Sequence, residues 1–255
     1  LDGAGVTVGL VDVGAVRTTH EQLRGRAFQM DGYEYCSGHS SGVAGTIAGS
    51  GEGNAMAQGM APQATLLCWQ QLHDLAEIDE NAHRIVVSNH SYGAAAGKES
   101  SAGQIQWQGD DLPSIAAHTY GVYSMKSQSW DRIAYDHDHL MVTAAGNNRE
   151  MPLSTSGASY VIPKEKSGSA MQRSMPQSTS EEYHTLTPLG GTKNGISIGA
   201  IHALTTQAQE IDESFMTSFS SWGPTDDGRI KPDLVADGVR LLTVNNVSDV
   251  SYQSL

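Results

Sequence analysis

Cysteine, phenylalanine and positive charge are all scarce in this chain, and each shortage excludes something. Two cysteines in 255 residues, Cys36 and Cys68, exclude a disulfide framework. They form a single bridge or stand as two small buried hydrophobes, and the free-thiol reading is preferred. Lys plus Arg number 15 against 28 Asp plus Glu, a formal charge of −13. That balance repels nucleic acid and anionic lipid, so neither is expected as a partner. No run of 18 apolar residues occurs, so no segment reads as a membrane-spanning helix. The opening Leu1-Asp2-Gly3-Ala4-Gly5-Val6 lacks a basic n-region and an apolar h-region, and reads as the start of a trimmed domain rather than a signal peptide. Against three Phe stand 28 Gly, a composition that suits a sheet enzyme whose turns and loops carry function. One domain of this length buries about three quarters of its unfolded surface.

What is present alternates between strand and helix. Val6 to Val11 is an apolar run that ends at Asp12, and Ala64 to Trp69 is a second strand after the turn at Met60-Ala61-Pro62. Gly42 to Ala48 is small and apolar enough for a buried helix. Leu75 to His83 reads as a helix with Asp74 as N-cap. Arg84 to Val87, Leu140 to Ala145 and Gly195 to Ala200 read as further strands, and Met125 to His137 as a helix. This order predicts an α/β fold, a three-layer sandwich around a mainly parallel sheet. It predicts one domain over residues 1–255, with long surface loops near 94–124 and 149–192.

Three polar residues stand where such a fold gathers its chemistry. Asp12 closes the first strand, at the sheet edge where ligands collect. His39 follows 27 positions later at a helix start, and Asn147 follows the strand Thr143-Ala144-Ala145-Gly146. An aspartate to orient, a histidine to move protons and an amide to hold an oxyanion form an acyl-transfer set. Gly38-His39-Ser40-Ser41-Gly42 also fits a G-x-S-x-G elbow, with Ser40 as nucleophile and His184 or His202 as base. That esterase reading leaves Asp12, Asn147 and "SSWGPTDDGRIKPD" unexplained. Asp136-His137-Asp138-His139 resembles a metal cluster, but adjacent residues at a helix end point apart and cannot share one ion.

Five segments, taken in order, resemble the subtilisin-like serine proteases, the subtilases. "VTVGLVDVG" is similar to the family's aspartate motif and "GHSSGVAGTIAGS" to its histidine motif, H-G-T-H-V-A-G-T. "SNHSYG" is similar to the substrate-pairing strand, "TAAGNN" to the oxyanion motif, and "SSWGPTDDGRIKPDLVADGV" to the run before the serine motif. The resemblance implies a serine endopeptidase in which His39 is the base, Asp12 its partner and Asn147 the oxyanion donor. It implies a polypeptide substrate clamped by Ser91, Tyr92 and Gly93 on one side and Ala145 and Gly146 on the other, by strand addition. Secretion and structural calcium are family traits; no dedicated calcium loop is spelled here, and the chemistry needs no cofactor.

Ser40, Ser41 and Gly42 stand where the family has Gly, Thr and a second His, and Ala236-Asp237-Gly238 replaces Ala-Pro-Gly. The serine motif, G-T-S-M-A/S, does not occur. The expectation is therefore a domain incomplete at its C-terminus, inactive alone. The serine would come from sequence beyond Leu255 or from a second chain. A non-catalytic peptide-binding relative is the alternative. The missing motif opens a buried helix in the family. Uncovering even a few hundred Å² of apolar surface costs several kcal/mol at about 25 cal/mol per Å².

Overall fold

A computed structural model of the chain describes residues 1–93, 97–99, 105–107, 120–149, 159–162, 171–174, 185–202 and 215–254. Along the chain these form β1 (Thr7–Asp12), β2 (Ala27–Gln29), α1 (Gly38–Ala48), β3 (Thr65–Gln70), α2 (Asp74–Asn81) and β4 (Val87–His90). Then come β5 (Gly97–Glu99), β6 (Ile105–Trp107), α3 (Met125–Asp136), β7 (Leu140–Ala144), β8 (Ser159–Ile162) and β9 (Met171–Ser174). Last are β10 (Ile196–Ile201), β11 (Leu234–Asp237), β12 (Leu242–Val244) and β13 (Tyr252–Ser254). The chain divides into two compact units: Leu1–Tyr92 with Ser129–Thr143 and Asp237–Leu255, and Gly93–Gln128 with Ala144–Ala236.

In the first unit the strands run β7-β4-β1-β3-β2, every neighbouring pair parallel. The mainly parallel sheet expected of an α/β fold is present. β1 lies inside it, and its alternate residues turn to opposite faces. Val8 and Leu10 join Leu66 and Cys68 of β3, Ala44 and Ala48 of α1 and Val244 of β12 in one core. Gly9 turns the other way: a Cβ there would lie 2.8 Å from Ile85 Cδ1 and 3.6 Å from Ile78 Cδ1. Cover on both faces explains why β1 reads as a nearly unbroken apolar run. β12 and β13 form an antiparallel hairpin in this unit.

The second unit holds a four-stranded sheet, β5-β6-β8-β9, in which only β6 and β8 pair in parallel. β10 and β11 are neighbours, and Asp233 N–H reaches Ser197 C=O at 2.9 Å. The expected loops 94–124 and 149–192 lie largely outside the described residues; four of their described pieces are the strands of the small sheet.

Most expected elements fall within a residue or two of the observed ones, with two instructive shifts. α1 starts at Gly38 rather than Gly42, so His39 lies inside its first turn. β4 runs Val87–His90 instead of 84–87. Apolarity stops at Val87, but Ser88 and His90 are fully buried and continue the strand because they bond to each other.

Candidate active site

Asp12 is the last residue of β1, flanked by β3 and β4, at the C-terminal edge of the parallel sheet. Its side chain is 1% exposed. Oδ1 accepts from Val13 N–H at 2.7 Å and from Ser40 Oγ–H at 3.2 Å, and lies 2.7 Å from His39 Nδ1. Because a carboxylate only accepts, Nδ1 is the donor; in the neutral ring this leaves Nε2 with a free lone pair. Oδ2 is buried and has no partner among the described residues. The His39 ring, 46% exposed, holds its proton more tightly than an ordinary imidazole. The hydrogen bond to Asp12 is the main cause, with the Asp12 charge adding to it and burial opposing.

Local chemistry sets this geometry. Ser37, extended at φ −98° and ψ 139°, caps α1 by accepting from Ser40 N–H at 3.4 Å. The approach to the helix is tied to the exit of β1: Ala15 N–H donates to Tyr35 C=O and Ser37 N–H to Ala15 C=O, at 3.0 and 2.9 Å. Asn246 Nδ2 holds Cys36 C=O at 2.7 Å, and Gln253 Nε2 donates to Gly38 C=O. The β12–β13 hairpin therefore sits against the same helix start that carries His39.

The other expected residues have varied settings. Ser91 follows β4 and accepts from Asn89 Nδ2 at 2.9 Å. Tyr92 is 8% exposed, its hydroxyl donating to Asp74 Oδ2 at 2.7 Å, so its ring serves the interior. Gly93 belongs to the second unit, as do Ala145, Gly146 and Asn147. There Ala145 uses its N–H on Ile198 C=O and its C=O on Thr187 N–H, at 2.9 and 3.1 Å. Gly146 has φ +117°, and a Cβ would press on Thr187 Cγ2 at 2.7 Å, so glycine is required. Asn147 comes directly after it and is exposed, whereas Asn148 is buried.

Ser40 is fully buried on Asp12, a poor position for the nucleophile of an esterase. Cys36 and Cys68 are both free. His137 pairs with Asp79 at 2.8 Å and Arg132 with Asp136 at 3.3 Å, while His139 is buried. Among the described residues no three His, Cys, Asp or Glu side chains are grouped to hold a metal.

One constellation went unread in the sequence. Asp74, Tyr92, His90, Ser88 and His139 form a buried hydrogen-bonded chain: Tyr92 Oη lies 3.1 Å from His90 Nδ1, and Ser88 Oγ lies 2.7 Å from both His90 Nε2 and His139 Nε2. Burial pushes the Tyr92 phenol up and the His139 imidazole down, so both stay neutral. Its sequence signal is three polar residues at alternate positions, 88, 90 and 92, which put them on one strand face.

Comparison with known proteins bears on family and fold. The subtilase family, peptidase S8, matches residues 3–254. The serine protease/ABC transporter B family protein tagD of Dictyostelium discoideum is 28% identical over 255 residues, covering 82% of this chain and 13% of tagD. Serine protease AprX of Bacillus subtilis (strain 168) is 25% identical over 260 residues, covering 96% of this chain and 49% of AprX. This chain thus spans less than half the length of either relative. The Clostridium perfringens CspB protease superposes with a TM-score of 0.65 at 13% identity, covering 100% of this chain and 80% of the other. A psychrophilic protease, S41, gives 0.58 at 20% identity, with 100% and 72% covered. At these identities the two structures speak for the fold.

Proposed function

Because the chain belongs to the subtilase family, we propose that it carries the acid and base of a subtilisin-type serine endopeptidase acting on polypeptides. The observation behind this reading is the Asp12–His39 pair: a 2.7 Å bond from a buried carboxylate to a ring that remains half-exposed. With Nδ1–H held by Asp12, Nε2 is the base. It removes the proton of a serine hydroxyl as that oxygen attacks the peptide carbonyl, and then returns the proton to the departing amine. Asp12 stabilises the imidazolium formed between these steps, and Asn147 donates to the oxyanion. Ser91, Tyr92 and Gly93, with Ala145 and Gly146, flank the extended substrate. Side chains alone carry the chemistry; a bound calcium would serve structure, and secretion follows the family.

The nucleophile is proposed to lie outside residues 1–255, in following sequence or in a second polypeptide, since no G-T-S-M-like segment occurs among them. A fluorophosphonate probe, which reacts with activated serines, should leave the 255-residue chain unlabelled and casein uncut. The same residues expressed with their downstream coding sequence should label at one downstream serine and cut casein, and His39→Ala should abolish both. Labelling of Ser40 would restore the esterase reading. A downstream-extended protein that binds casein without cutting it would point to the peptide-binding relative.

A further inference from the structure

Ser40, one residue past His39, is fully buried, and its hydroxyl joins two parts of the site. Oγ accepts from Gly14 N–H at 3.1 Å and donates to Asp12 Oδ1 at 3.2 Å. A hydroxyl has one proton to give, and here it goes to the carboxylate that faces His39. Without that donor Asp12 would be held by Val13 N–H and the His39 ring alone, both on Oδ1, since Oδ2 has no partner among the described residues. The carboxylate torsion of an aspartate is broad, so two donors on one oxygen leave its plane loosely fixed. A third donor, the Ser40 hydroxyl, adds a further restraint. Gly14 N–H fixes the hydroxyl in turn, and the capped first turn of α1 fixes the Ser40 backbone.

We propose that Ser40 is a positioning residue for the catalytic pair: its hydroxyl sets the plane of the Asp12 carboxylate so that Oδ1 meets His39 Nδ1–H squarely. This rests on the reading of Asp12 and His39 as the working acid and base. It goes beyond the family pattern, which carries glycine at this place and has no hydroxyl to offer. In this chain the burial that denies Ser40 a nucleophile's role gives it a role behind the base.

Histidine titration by NMR on ¹⁵N-labelled 255-residue chain tests the idea without needing turnover. Wild type should show a low-field Nδ1 proton on His39 and a raised His39 pKa, and Asp12→Asn should remove both. Ser40→Ala should weaken the low-field signal and lower the His39 pKa part of the way to the Asp12→Asn value. Ser40→Gly, a second way to delete the hydroxyl should the alanine variant fold poorly, should act alike. Ser40→Thr should restore the wild-type signal and titration. If both hydroxyl-less variants fold and titrate as wild type, the proposal is overturned while the pair stands. Were Asp12→Asn also to titrate as wild type, the pair reading itself would fail.

Discussion

His39 and Asp12 differ sharply in exposure, 46% against 1%, and the pairing of the two governs how the His39 ring responds to pH. The half-exposed ring binds its proton more tightly folded than unfolded, because Asp12 bonds and attracts the protonated form more than burial disfavours it. The unfolded value is about 6.5. The stabilisation is therefore complete below about pH 6.5 and is lost as pH rises through the higher folded value. A general base must be neutral to act, so if His39 is the base proposed above, cleavage by the downstream-extended protein should rise with pH over the window in which this stabilisation fades. The difference in unfolding free energy between wild type and His39→Ala, from urea titrations, should be greater at about pH 5.5 than at about pH 9, by on the order of 1 kcal/mol, since solvent screens an exposed ring. Equal differences at the two pH values would contradict the pairing. Both residues were legible because an aspartate ending an apolar run and a histidine opening a small-residue helix mark recognisable positions. Ser40 was legible only as a candidate nucleophile. Whether a buried serine attacks or supports depends on which atom its hydroxyl faces, and spacing alone does not carry that.

At the scale of elements, contact between α1 and β12 makes a testable demand on glycine. A Cβ on Gly45 would strike Thr243 Oγ1 and lie 2.7 Å from Val244 Cγ2. Thr243 has little room to move, because its hydroxyl donates to Gly42 C=O at 2.7 Å within the same helix. In an open helix Gly→Ala gains about 1 kcal/mol from propensity. Here the forced separation should outweigh that gain, giving a net loss of about 1–3 kcal/mol for Gly45→Ala. A urea midpoint at or above wild type would show that β12 does not pack this closely. The sequence hid that contact. β1, β3, β7 and β10 were legible because apolar runs of useful length end at turns. β2, β12 and β13 have three residues each, too few for a period of two to declare itself. β4 was read three residues early because Ser88 and His90 look like loop residues until their partners are known.

Over the whole molecule, family membership was legible because five segments in fixed order span almost the entire chain. The two compact units were not, for the chain passes from one to the other at Tyr92–Gly93 and Thr143–Ala144 without a linker-like change in composition. Net charge acts at this scale too. With a formal charge of −13, the folded state gathers repelling carboxylates that the unfolded chain can spread apart. Several ion pairs oppose this locally, among them Arg17–Asp249 at 2.7 Å and Arg132–Asp136 at 3.3 Å. Surface pairs contribute only about 0–1 kcal/mol each, and bases are too few to match every acid. Repulsion acts over the Debye length, which shrinks from about 30 Å at about 0.01 M salt to about 8 Å at about 0.15 M. Sodium chloride should therefore raise the urea midpoint across that range, with a chelator present throughout so that no divalent ion is responsible. A midpoint that stays level or falls would mean that the local pairs, which salt weakens, outweigh the long-range repulsion.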